Sequence, residues 1–120
     1  MRKAAAEQGA TQSGAIDLAH LERATFGDRT LRREVLSLFQ RQAATLGAEL
    51  AQADGNQARA DIAHRLRGAA LGVGATGVAE AAAAFERAPE TAAQRTEALS
   101  RLAARIAEAR AAIADIIASD

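Results

Sequence analysis

His64 is the residue whose type and surroundings indicate chemistry most clearly. Arg67 follows it by three positions and Gly68 by four, and residues three and four apart lie on one face of a helix. Unperturbed histidine is mostly neutral at neutral pH, and a neutral imidazole is a good nucleophile. A nearby guanidinium stabilises the charge on the oxygens of a transferring phosphoryl group, and its planar fork can hold two of those oxygens. These residue types therefore suit phosphoryl transfer.

The position of His64 around its helix predicts that the ring is exposed to solvent. Each residue turns an α-helix by about 100°. If Leu66 is the centre of the apolar face, His64 lies about 160° away, on the opposite side. The residues within about 40° of Leu66 are apolar and are expected in the core: Ile62, Ala70 and Val73.

The same outer face is predicted to contact a partner. Gly68 lies in the middle of the helix, where glycine costs about 0.5–1 kcal/mol relative to alanine. In a chain so rich in alanine, one reason to keep this glycine is the close approach of another backbone or of a bulky partner, and the other is simple packing. The residues expected on the partner-facing surface are Ala60, Asp61, Gly68 and Leu71.

The elements that must position these residues are helices, because apolar residues recur at three- and four-residue steps and no stretch alternates with a period of two. A short helix is expected from an Asp17 cap to near Gly27, and longer ones over about 29–53 and about 57–73. Two more follow, one from a Thr76 cap to Pro89 and one from a Thr91–Gln94 capping box to about 118.

This order of helices predicts an all-α fold. The four longer helices are expected to form an antiparallel up-down-up-down four-helix bundle with a short extra N-terminal helix. The predicted domain covers residues 16–120, and residues 1–15 are expected to form a mobile tail.

The composition excludes several function classes. The chain has 120 residues, with 15 Lys and Arg against 15 Asp and Glu, 2% aromatic residues and no cysteine. Neutral charge and few aromatics argue against nucleic-acid binding, and the lack of cysteine excludes disulfides and thiolate sites. No run approaches the about 18 apolar residues that span a bilayer, and no apolar signal-peptide core occurs, so a cytoplasmic location is expected.

No enzyme motif accompanies His64. The sequence has no glycine-rich nucleotide loop, no paired histidine ligands and no nucleophile elbow. The chain is therefore not expected to act as an enzyme by itself, and the metal and acid chemistry of phosphoryl transfer must come from a partner.

The segment Ala63-His64-Arg65-Leu66-Arg67-Gly68, followed by Gly74-Ala75, resembles the Ala-His-x-Leu-Lys-Gly-(x)5-Gly-Ala signature of histidine phosphotransfer (HPt) domains. These domains are four-helix-bundle carriers of two-component phosphorelays, and the resemblance extends over about 16–118. It implies that His64 accepts a phosphoryl group. It also implies that Arg67, in place of the usual lysine, helps to hold that group, and that Gly68 lets a receiver domain approach. Replacing lysine keeps the charge but changes its geometry.

The resemblance further implies the partners. The phosphoryl group would come from a receiver-domain aspartate or a histidine kinase, including a hybrid sensor kinase, and pass to a response-regulator receiver. No cofactor is expected in this chain, because the required Mg²⁺ belongs to the receiver domain. The chain is expected to be a monomer that contacts neither nucleic acid nor membrane.

Two other interpretations remain beside the carrier. The bundle could dock a signalling partner through the same face without phosphate chemistry, as an adaptor. The phosphoacceptor hairpin of a sensor kinase is disfavoured, because such hairpins resemble His-Glu-x-x-Thr-Pro and here Arg65 follows His64 with no proline in the helix. His20 has no ligand spacing and is expected to be a surface residue without a role.

Overall fold

A computed structural model describes residues 15–87 and 89–119. Within them the chain forms five helices: α1 (Leu18–Ala24), α2 (Arg29–Gln52), α3 (Asn56–Val73), α4 (Thr76–Glu86) and α5 (Ala92–Ser119). These ranges contain no strand, so the all-helical prediction is confirmed. The predicted tail lies outside the described residues except for Ala15. No helix in the described ranges is both long and apolar enough to cross a lipid bilayer.

Side-chain caps begin three of the helices, and those of α1 and α5 lie where the sequence predicts them. Asp17 accepts a backbone hydrogen bond at the start of α1, and Asp28 does so at the start of α2. At α5 the hydroxyl of Thr91 accepts the Gln94 N–H at 3.0 Å, while the Gln94 side chain accepts the Thr91 N–H at 3.1 Å. This reciprocal pair is a capping box, which satisfies backbone donors that the helix itself leaves open.

The predicted Thr76 cap is wrong. Thr76 is the first residue of α4, and its N-cap is Ala75, which offers no side-chain hydrogen bond. The reason is the tightness of the preceding turn. Gly74 takes up the left-handed conformation at φ 81°, and the Ala75 N–H closes α3 by donating to Ala70 O at 2.8 Å. The Ala75 carbonyl already accepts the Ala79 N–H at 3.0 Å, so α4 begins one residue earlier than a Thr76 cap would allow.

All five helices in the described ranges contribute to a core that combines a few large side chains with many alanines. Helix α3 packs against α2 and α4, and α5 packs against α4 and α2. Each large buried side chain stabilises the fold by about 1.5–3 kcal/mol, against about 0.8 kcal/mol for a methyl-sized group. The largest fully buried apolar residues are Leu21, Leu36, Phe39, Leu50, Leu66, Val78, Phe85, Leu102 and Ile113.

The face of α3 opposite His64 is buried as predicted, except at one edge. Leu66 and Ala70 are fully buried, and Val73 is 5% exposed. Ile62 is only partly buried and packs against the margin of the core. The core side of α3 therefore holds the helix in one rotation, and this rotation fixes which residues face solvent.

Helix α1 packs on the C-terminal end of α3. The Asp17 N–H donates to Gly74 O at 2.8 Å, and Nε2 of His20 lies 3.2 Å from Gly72 O. The His20 ring thus satisfies one of the carbonyls that the end of α3 leaves unpaired, which is a structural role that the sequence did not indicate. A Cβ atom on Gly74 would lie 2.8 Å from Asp17 O, so this position requires glycine for its backbone angle and for the close approach of α1.

We predict that Gly74→Ala lowers the free energy of unfolding by about 2 kcal/mol or more, because a left-handed residue with a side chain is strained and the new Cβ meets Asp17. Gly72→Ala is the matched control, since a Cβ there meets no atom within 4 Å. Urea denaturation measures both variants. Equal stability of the two would contradict the close approach of α1 to Gly74.

Candidate functional site

The imidazole of His64 lies on the outside of α3, as the helical wheel predicts. Its side chain is 72% exposed, whereas Leu66 and Ala70 on the other side of the helix are fully buried. The ring is therefore open to solvent and to a partner. Its role as a phosphoryl acceptor remains a prediction.

Glu86, the last residue of α4, contacts the ring and was missed by the sequence analysis. Its Oε1 atom lies 3.2 Å from Nδ1 of His64. The signal that could have found it is the turn at Ala75, since His64 lies eleven residues before Ala75 and Glu86 eleven residues after it. Two antiparallel helices rise equally per residue and meet at a short turn, so equidistant residues reach the same level.

The contact with Glu86 decides which ring nitrogen carries the hydrogen. An ionised carboxylate can only accept hydrogen bonds, so the hydrogen between the two groups must belong to Nδ1. In a neutral imidazole the other nitrogen, Nε2, then carries the free lone pair. Within the described residues nothing is hydrogen-bonded to Nε2 of His64. The nitrogen that can act as a nucleophile in this tautomer is therefore the one that Glu86 does not contact.

Arg67 lies beside the same carboxylate without being fixed by it. Its NH1 atom is 3.9 Å from Glu86 Oε2, and its side chain is 44% exposed. This distance is too long for a hydrogen bond, so the carboxylate does not hold the guanidinium in one position. Arg67 lies one turn from His64, and its partly exposed side chain can turn toward an anion bound at Nε2.

The surface next to His64 includes Gly68, which has no side chain, and Leu71, which is partly exposed. A Cβ on Gly68 would meet no heavy atom within 4 Å, and Gly68 lines an open groove between α3 and the side of α2 that carries Arg41 and Thr45. Leu71 is 44% exposed. Within the described residues no close contact requires glycine at position 68, and its role toward a partner stays a prediction.

The two remaining predicted contact residues differ in exposure. Asp61 is exposed and accepts a hydrogen bond from Gln57 at 2.9 Å, while Ala60 is partly buried. They lie one turn before His64 on α3, and a partner role for either one stays a prediction. No group of three or more potential metal-ligating side chains occurs in the ranges 15–87 and 89–119.

Comparison with known proteins yields no relative: the chain matches no protein-family model, no curated protein and no solved structure. The resemblance to histidine phosphotransfer domains therefore depends on the motif around His64 and on the order of the helices, and it stays a prediction.

We predict that Gly68→Ala raises the free energy of unfolding by about 0.5–1 kcal/mol, because alanine is the better helix former and the new methyl group has open space. Thermal or urea denaturation measures this change. A loss of stability would reveal a structural reason for Gly68 and remove the argument that it serves a partner.

Proposed function

We propose that this chain is a phosphoryl carrier of the histidine phosphotransfer type. His64 accepts a phosphoryl group from a receiver-domain aspartate or from a histidine kinase, and passes it to the receiver domain of a response regulator. The chain holds the group between two proteins and has no kinase or phosphatase activity of its own.

One observation carries this proposal. The imidazole of His64 is 72% exposed, and Glu86 Oε1 lies 3.2 Å from Nδ1 and not from Nε2. A hydrogen on Nδ1 leaves the lone pair of a neutral imidazole on Nε2, which is the atom that would attack phosphorus. Arg67 places a positive charge beside the Glu86 carboxylate, one helical turn from His64. Such a cation stabilises the negative charge on the oxygens of a transferring phosphoryl group.

The transfer step needs no acid from this chain. The Nε2 lone pair attacks phosphorus, the P–O bond to the partner's aspartate breaks, and the carboxylate leaves with its electron pair. Arg67 holds the phosphoryl oxygens as the P–N bond forms. The Mg²⁺ that such a step uses belongs to the receiver domain.

The architecture agrees with this function. The proposed fold is an up-down-up-down bundle of α2 to α5, with α1 as the short extra helix. Gly68 lets the receiver approach the backbone of α3, and the exposed Leu71 supplies an apolar contact. We propose that the carrier acts as a monomer in the cytoplasm, where receiver domains occur.

We predict that His64→Gln abolishes phosphoryl transfer from phosphorylated receiver domains while helicity and melting stay unchanged, because an exposed side chain contributes little to the fold. The receiver domains of the source organism, phosphorylated on their aspartates with a labelled phosphoryl group, serve as donors. The label on the wild-type chain is expected to be acid-labile and base-stable, as a phosphoramidate is.

His20→Gln is the matched control, because it removes the other histidine without touching the site, and it is expected to keep the label. Label that survives His64→Gln contradicts the assignment of the acceptor. Receiver binding that ignores both His64 and receiver phosphorylation, with no label on the chain, would favour the adaptor instead.

A further inference from the structure

One oxygen of the Glu86 carboxylate, Oε2, takes no part in the contact with His64. The side chain of Glu86 is 27% exposed, much less than the ring it contacts. Its Oε2 atom is buried and has no hydrogen-bond partner in the described residues, and the nearest cation is Arg67 at 3.9 Å. A buried oxygen without a hydrogen-bond partner is costly, so the free energy of this carboxylate depends strongly on the hydrogen-bond donors and positive charges beside it.

Phosphorylation at Nε2 changes the charge of the ring. The lone pair of Nε2 enters the P–N bond, so a ring that still carries hydrogen on Nδ1 becomes a cation. The reverse step then depends on that hydrogen. If it stays, breaking the P–N bond returns the electron pair to Nε2 and releases a neutral imidazole. If it is lost, an imidazolate anion must leave, which is a much poorer leaving group.

The charges around the ring favour keeping the hydrogen. Glu86 faces the ring from α4 and Arg67 lies beside it on α3. Asp61, also on α3, is hydrogen-bonded to Gln57, and on the α2 side Glu49 is paired with Arg65 at 3.6 Å. Once the Arg67 guanidinium turns toward the phosphoryl oxygens, the hydrogen on Nδ1 is the hydrogen-bond donor that remains beside the Glu86 carboxylate.

We propose that Glu86 is a positioning residue for phosphoryl release, which keeps the hydrogen on Nδ1 of phosphorylated His64 so that neutral imidazole leaves. This inference rests on the proposed carrier function and extends it from acceptance to donation. Glu86 thereby makes the phosphorylated chain a rapid donor at neutral pH without any acid catalyst, and the proton never leaves the ring during the cycle.

The test uses a chemical donor, so that no partner is needed. Potassium phosphoramidate loads the chain: its P–N bond breaks, ammonia leaves and the bond to Nε2 forms. After desalting, the first-order loss of the phosphoryl group is followed from mildly acidic to mildly alkaline pH. Glu86→Gln keeps an oxygen that can accept from Nδ1 but removes the negative charge.

The wild-type chain is expected to lose its phosphoryl group rapidly up to a higher pH than Glu86→Gln does. If the rate profile of the variant lies about one pH unit lower, its phosphorylated form should last about ten times longer at alkaline pH. Glu49→Gln is the matched control, because it removes a carboxylate paired with another arginine of α3. Its pH profile is expected to coincide with that of the wild type.

Coincident profiles for wild type and Glu86→Gln overturn the inference, and so does an equal displacement in Glu49→Gln. A uniform change of rate at every pH also overturns it, since a merely structural role gives that result. Failure of the carrier function itself looks different, because then no phosphorylated receiver labels His64 of the wild-type chain, although phosphoramidate still labels the exposed ring.

Discussion

The site depends on one contact across two helices, the hydrogen bond between Nδ1 of His64 on α3 and the carboxylate of Glu86 at the end of α4. The ring is 72% exposed, so the contact adds little to folding stability. Its importance is orientation. By holding the hydrogen on Nδ1, it leaves the lone pair on Nε2, much as a buried carboxylate selects the useful tautomer of an enzyme's general base.

The rest of the fold makes this contact possible, because it fixes the rotation of α3 about its axis and the position of α4 along α3. The buried stripe of α3 sets its rotation, and the tight turn at Gly74 sets which residues of α3 and α4 meet. Helix α1 packs on that turn through Asp17. A change at Gly74 therefore acts on a site about 15 Å away, at about 1.5 Å per residue along α3.

The sequence could predict those parts of the site that lie on one helix. The exposure of His64 and its place on one face with Arg67 and Gly68 follow from the period of α3. Glu86 could not be found that way, because its position depends on the register of α4, which the turn fixes. The Thr76 cap was predicted wrongly for the same reason, because the local sequence does not reveal that Gly74 and Ala75 close α3 and begin α4 within two residues.

The most direct test is ring-nitrogen NMR of the chain with ¹⁵N-labelled histidines, before and after treatment with potassium phosphoramidate. His20 serves as an internal reference, because its Nε2 is occupied by Gly72 O. At a pH where the rings are neutral, His64 should show the tautomer with hydrogen on Nδ1, and treatment should form a single P–N bond at its Nε2. Hydrogen on Nε2 of untreated His64, or phosphorylation at its Nδ1 or at His20, would contradict the account.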